Sequence, residues 1–242
     1  MIYIRRIALP VPLADQLAVL TGILRDHGDE ARQHARQLWN RSRLPKRGLR
    51  DALNQMAPGH QRCMYCGDSE GTSVDHFEPI ARNPVRTFDW LNHLLACSYC
   101  NSSQKGSRFP VDAEDRPLLI DPTVEDPFDH LVLSLAVGEY RARTLKGSHT
   151  IDVLGLNRAV LVQGRQHARD VVGLALRLWR IARQAGDNAA QLRQIRTIRM
   201  QPLADVHQAM IRYATAPGAE AIFATDPGLL PILRDPELRA AL

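Results

Sequence analysis

Cys63-Met64-Tyr65-Cys66 and Cys97-Ser98-Tyr99-Cys100 decide how this sequence reads. They are two CxxC pairs separated by 30 residues, and together they use all four cysteines of the chain. Two residues between thiolates let a tight knuckle present both sulfurs to one ion, and two knuckles complete a tetrahedral zinc site. A redox role for either pair is disfavoured, because the pairs match each other and no thioredoxin-like βαβ pattern surrounds them. Four thiolates leave no open coordination position. The predicted zinc, held by Cys63, Cys66, Cys97 and Cys100, is therefore structural, and any catalysis must use other side chains.

Those side chains lie between and just after the knuckles. Val74-Asp75-His76-Phe77-Glu78-Pro79 is strand-like, and strand alternation points Asp75 and His76 to opposite sides unless the nearby proline bends the chain. Trp90-Leu91-Asn92-His93 leads into the second knuckle, Asn101 follows Cys100 directly, and Lys105 comes four residues later. Each has a plain structural explanation when taken singly. His76 suits a hydrogen-bonded core histidine, Asn101 a helix N-cap, and Lys105 a solvated cation. Their joint placement around a CxxC pair favours chemistry. A near-neutral imidazole such as that of His76 suits general-base work. His93 is a rival base, weakened by the lack of an adjoining carboxylate.

The run Cys63-x2-Cys66, Asp75-His76-x2-Pro79, Asn92, Cys97-x2-Cys100-Asn101 resembles the zinc-bearing branch of the HNH endonucleases, whose site is a ββα-metal finger. The resemblance implies that His76 is the general base and that Asp75 and Asn101 are ligands of a catalytic Mg²⁺ or Mn²⁺. It further implies that Asn92 braces the loop through backbone hydrogen bonds, and that Lys105 and Arg108 contact nucleic acid. Asparagine stands here where the family's name places its last histidine, and Lys105 sits one residue later than the pattern leads one to expect. A wider likeness, carried by Met1-Ile2-Tyr3-Ile4-Arg5, Phe88-Asp89-Trp90-Leu91-Asn92, Arg108-Phe109-Pro110, Leu119-Ile120-Asp121-Pro122-Thr123 and Gly155-Leu156-Asn157-Arg158, is to the small HNH subunit of the Septu and retron-linked anti-phage systems. That likeness implies an ABC-type ATPase partner.

Outward from the finger, the chain reads as α+β: a mainly α-helical chain carrying a ββα-metal finger built around the four-cysteine zinc site. Residues 1–60 form an N-terminal helical region, with one helix over 13–42 ended by Leu44-Pro45 and a second over 47–56. Residues 61–115 form the finger and its nuclease core. Residues 116–149 form a connection with a strand at Leu118–Ile120 and a hairpin of 131–137 with 139–145, split by Gly138. Residues 150–242 form a C-terminal helical region, with Asn157 as N-cap of a helix reaching Ala185 and further helices at 188–200 and 202–215.

The 242 residues, 45% hydrophobic and 24% charged, suffice for a sizeable core without disulfides and exclude whole-chain disorder. No apolar run approaches the roughly 18 residues of a bilayer span, and no signal peptide is recognised, so the expected location is cytoplasmic. Net charge is +5, and 28 of the 31 cations are arginines, whose planar fork suits phosphate. Residues 1–60 hold ten basic against five acidic side chains, and residues 151–200 hold nine against three. Along 158–183, Arg158 and Arg165 alternate with apolar residues, and Arg169, Arg177, Arg180 and Arg183 predict a basic helical face for phosphate or for an acidic partner, with a solvated face over a helical core as the plain alternative. The expected activity is metal-dependent hydrolysis of DNA in anti-phage defence. RNA or tRNA is the alternative substrate, and a non-catalytic zinc module binding nucleic acid or protein is the alternative class.

Overall fold

The computed structural model describes every residue except Gly28 and Asp29. The single helix expected over 13–42 is two helices, α1 (Val11–Asp26) and α2 (Ala31–Arg41), and the part of that expectation at Gly28 and Asp29 lies outside the described residues. A third, α3 (Arg43–Met56), follows after Ser42 alone. Leu44-Pro45 therefore does not end a helix. Pro45 sits in the first turn of α3, where its missing N–H removes no intrahelical bond. The three helices bury a small apolar cluster of their own, made of Leu17, Leu24, Ala35 and Leu49 around Phe88.

The finger follows. Strand β1 (Ser73–His76) pairs antiparallel with β2 (His93–Ala96), in a register that sets Ser73 against Ala96 and His76 against His93. The segment after the second knuckle, Tyr99–Lys105, winds as a π-helix, closed where the Gly106 N–H donates to the Asn101 carbonyl at 2.7 Å. Its wider turn takes up the extra residue between Asn101 and Lys105.

The expected hairpin is present but shorter, with β3 (Leu131–Leu133) against β4 (Tyr140–Ala142). Gly138 turns it at φ +83°, and a Cβ there would meet the Val162 carbonyl oxygen at 2.4 Å, so glycine is required. Leu118–Ile120 forms no strand; the Ile120 N–H goes instead to the Thr150 hydroxyl at 3.0 Å. A single turn, α4 (Pro127–His130), leads into β3. The C-terminal helices are α5 (Leu145–Leu154), α6 (Ala159–Gln184), α7 (Asn188–Met200) and α8 (Asp205–Tyr213), before short turns of helix reach the C-terminus. Asn157 does not cap α6. Its amide clamps Tyr140, accepting from the Tyr140 N–H and donating to its carbonyl, both at 2.8 Å.

One main core runs from Met1 and Leu53 through all four cysteines and β2 to Leu161, Trp179, Ile198, Phe223 and Leu238. The knuckles are thus packed into the same apolar body as α6 and α7. Among the described residues, no helix is long and apolar enough to cross a membrane.

The basic face expected along α6 is partly neutralised from within, and Arg180 stays exposed without an ion pair among the described residues. Arg165 is buried and donates to Asp205 at 3.1 Å and to the carbonyls of Gly138 and Leu156. Arg177 pairs with Asp226, and Arg183 pairs with Asp235 and Glu237 at 2.9 and 2.7 Å. Arg169 donates to the Thr225 hydroxyl at 2.9 Å. The acidic residues of the C-terminal segment are what the helical periodicity of α6 alone does not reveal.

Candidate active site

The knuckle turns bring the cysteine sulfurs together. Gly67 adopts φ +72°, which lets its N–H return to the Cys63 carbonyl at 2.8 Å. The Met64 N–H ties this knuckle to the Leu95 carbonyl of β2, also at 2.8 Å. In the second knuckle the Cys100 N–H points at the Cys97 sulfur at 3.4 Å. All four sulfurs are buried and lie within 4.8 Å of one another, with Cys66 and Cys97 at 4.0 Å. A tetrahedron with Zn–S of about 2.3 Å needs sulfurs about 3.8 Å apart, so the tetrad has the size to hold zinc.

His76 ends β1 with its ring toward the N-terminal helices. Its Nε2 donates to the Thr87 carbonyl at 3.0 Å, Trp39 of α2 meets the ring edge-on at 4.5 Å, and His93 lies 5.0 Å away. The donation to a carbonyl places the hydrogen on Nε2 and leaves the Nδ1 lone pair as an acceptor. Nδ1 of His76 is not among the partnerless atoms sealed from solvent, whereas Nδ1 of His93 is. His76 keeps 9% of its surface and His93 none. Burial pushes the His76 imidazole down to about 4, with the Thr87 carbonyl opposing and the Lys105 charge adding, so the ring is neutral at pH 7.

Asn92 is fully buried beside them. Its Oδ1 accepts from the Glu78 N–H at 2.8 Å, and its Nδ2 donates to the carbonyls of Glu78 and Arg86 at 3.0 and 3.1 Å. These bonds close the 77–92 loop that carries Thr87. Arg86 stiffens the same loop through Glu78 at 3.0 Å and Asp89 at 2.9 Å.

On the other face of β1 stands a second group. Asp75 accepts from the Tyr65 hydroxyl at 2.5 Å and from the Lys105 ammonium at 3.1 Å, and Lys105 also donates to the His76 carbonyl at 2.7 Å. Burial raises the Asp75 carboxyl above its ordinary value, and Lys105 and Tyr65 oppose that rise. Asn101 donates to the Ser73 hydroxyl at 3.0 Å, which sets it on the same face of the strand as Asp75. The structure thus brings Asp75 toward Lys105 and Asn101 toward Ser73, and turns His76 the opposite way. No bend reverses the alternation, since β1 pairs regularly through His76.

Lys105 and Arg108, the expected phosphate contacts, are placed differently: Lys105 is turned inside and Arg108 remains exposed. Lys105 is buried, because the π-helix turns it inward onto Asp75. Arg108 donates through Nη2 to the carbonyls of Gln104 and Val153. Removing the Lys105 ammonium, as in Lys105→Met, strands a buried carboxylate and should cost about 3–5 kcal/mol of stability. Thermal unfolding of the variant checks this, and an unchanged melting temperature refutes it.

Thr87, Trp39, Tyr65 and Ser73 complete the two groups without having been singled out in the sequence. Thr87 acts through its carbonyl, which leaves no side-chain signature. Trp39 reaches His76 only through tertiary packing of α2. Tyr65 alone had a local signal, its place inside the first knuckle.

The sequence of this region has counterparts. Residues 63–107 match the HNH endonuclease family model. The HNH segment therefore spans both knuckles, β1, β2 and the π-helix. Over longer stretches the chain is 30% identical to Septu protein PtuB of Bacillus thuringiensis across 163 residues, which is 65% of this chain and 55% of that protein. It is 25% identical to Septu protein PtuB of Bacillus mycoides across 154 residues, 51% of this chain and 52% of that one. A shorter match, 40% identical over 53 residues, is to protein ea31 of Escherichia phage lambda, covering 22% of this chain and 18% of the phage protein. The chain spans about half the length of the PtuB relatives it matches. No solved structure matches it.

Proposed function

We propose that this chain is a metal-dependent HNH endonuclease that hydrolyses DNA in anti-phage defence, with an ABC-type ATPase as its partner. The observation that carries the nuclease reading is His76, a neutral imidazole with Nε2 tied to the Thr87 carbonyl and Nδ1 left to accept a proton. The likeness to the two Septu proteins supports the defence role.

In this mechanism Nδ1 of His76 takes a proton from water as the water oxygen attacks phosphorus. The P–O bond to the 3′ oxygen breaks, and the bridging oxygen leaves with its electron pair. Thr87 holds the ring in one tautomer and stabilises the imidazolium that forms. Asn92 keeps Thr87 in place by fixing the loop on which it sits.

Zinc fits the four sulfurs by donor type and spacing and is a folding element. Asp75 and Asn101 offer hard oxygens on one face of β1, the donor type that Mg²⁺ or Mn²⁺ prefers. The Lys105 ammonium already stands at Asp75 Oδ1 as a positive charge. A divalent ion held by Asp75 and Asn101 would have to displace Lys105 from Asp75 Oδ1, and the charge neutralisation it would supply to the phosphate would come from the face of β1 opposite the His76 ring.

The test is to incubate the purified chain with plasmid DNA and with total RNA, in Mg²⁺, in Mn²⁺ and in EDTA. The expected result is cleavage of DNA with either ion and none in EDTA. RNA cut in preference to DNA would reassign the substrate. Failure to cut either, in zinc-loaded protein tested with and without the ATPase, would leave a zinc module without nuclease activity.

A further inference from the structure

We infer that α2 and α3 form the surface that grips the phosphate backbone of the substrate strand. The inference rests on the nuclease reading for its choice of nucleic acid as the occupant. Its basis is separate: charge and placement in a region outside the HNH segment.

Between residues 31 and 50 the chain carries Arg32, Arg36, Arg41, Arg43, Lys46, Arg47 and Arg50, with no aspartate or glutamate. The burial pattern sorts them outward. Ala31, Ala35, Leu49, Ala52 and Leu53 face the interior, and Arg32, Arg36, Arg41, Arg43 and Arg47 are exposed. None of these five arginines has an ion pair among the described residues. On α6, by contrast, Arg165, Arg177 and Arg183 are matched by Asp205, Asp226, Asp235 and Glu237, and Arg169 and Arg180 alone lack an ion pair among the described residues. A dense, unpaired set of like charges costs stability through self-repulsion, and an anionic partner relieves it. Arginine at five of these exposed places suits multidentate contact with phosphate oxygens.

Placement ties these charged helices to the candidate site. The inner side of α2 carries Trp39, whose ring touches His76 at 4.5 Å and stacks on His93 at 5.5 Å. Phe88, next to Thr87, sits in the same apolar cluster as Ala35 and Leu49. The exposed arginines of α2 and α3 are therefore carried by helices packed onto the loop that orients the base.

The test measures binding in a His76→Ala background, so that substrate survives, using labelled duplex DNA and single-stranded RNA between about 50 and 200 mM salt. One variant carries Arg36→Gln, Arg43→Gln and Arg47→Gln. A comparison variant carries Arg193→Gln, Arg196→Gln and Arg199→Gln on α7, a second exposed arginine row farther along the chain. The first variant should bind roughly tenfold or more weakly, and its slope of log K against log salt should be shallower by about 3. The α7 variant should keep the parent's slope. An unchanged slope in the first variant, with parental melting temperature and zinc content, overturns the inference. Equal loss in both variants overturns it as well, because binding would then be diffuse. So does retained nucleic-acid binding with lost capture of an acidic protein. Should the triple variant fail to fold, each single substitution should reduce the slope by about 1, and no reduction in any of them overturns the inference. These readouts do not use cleavage, so a chain that binds as described yet never cuts would sink the nuclease reading alone.

Discussion

Alanine at position 76 is expected to lower phosphodiester cleavage by about 10²- to 10⁴-fold, with zinc content unchanged and the fold retained. The size follows from what the ring supplies. Nδ1 is the proton acceptor left once Nε2 is committed to Thr87, and no second side chain stands ready to replace it. His93 sits 5.0 Å away and shares the Thr87 carbonyl, but it is sealed from solvent and its Nδ1 faces no partner. It cannot meet a water without movement of β2. His93→Ala should therefore act on stability through a cavity between Trp39 and His76 and leave the rate per folded molecule close to the parent's. Cleavage assays on both variants, normalised to the folded fraction by thermal melting, separate the two roles. A fully active His76→Ala alongside a dead His93→Ala would transfer the role of base to His93.

The parts of the site legible in the sequence are those whose chemistry is local. Two CxxC pairs predict a four-sulfur cluster because each knuckle is made within five residues and the pairs have no other cysteines to meet. The strands flanking the 77–92 loop are likewise short-range, and pairing His76 with His93 follows once β1 and β2 form a hairpin. What escaped the sequence depends on residues brought from afar or on backbone atoms. The cover over His76 comes from Trp39, on a helix packed against the loop through Phe88. The inward turn of Lys105 depends on one residue of extra spacing becoming a π-helix, which a helical period of 3.6 does not describe. The basic face of α6 looked open because its acidic partners lie about fifty residues farther along the chain. The arginines of α2 and α3 stood in plain view in the sequence, but their lack of partners is visible only in three dimensions.

Cysteine-to-serine substitution at Cys63, Cys66, Cys97 or Cys100 should do more than empty a metal site: it should unfold residues 61–110 and loosen the helices packed against them. Binding of structural zinc to such tetrads is worth about 10–16 kcal/mol near neutral pH, comparable to or larger than the whole stability of an ordinary domain. The HNH segment has little else to hold it, since β1 and β2 are four residues each and the π-helix is seven. The cysteines also lie in the same core as Leu161, Trp179 and Ile198, so melting the knuckles exposes apolar surface on α6 and α7. His76 is carried into disorder with them, and cleavage is lost for a structural reason. Elemental analysis of freshly purified chain should find one zinc per molecule. Each serine variant should show lost zinc, lowered helical circular dichroism and rapid proteolysis between the knuckles. The distinction from His76→Ala is then direct, because that variant loses the rate and keeps the metal. A folded, protease-resistant parent containing no zinc would show that the sulfurs are buried thiols, with the fold held by its apolar core alone.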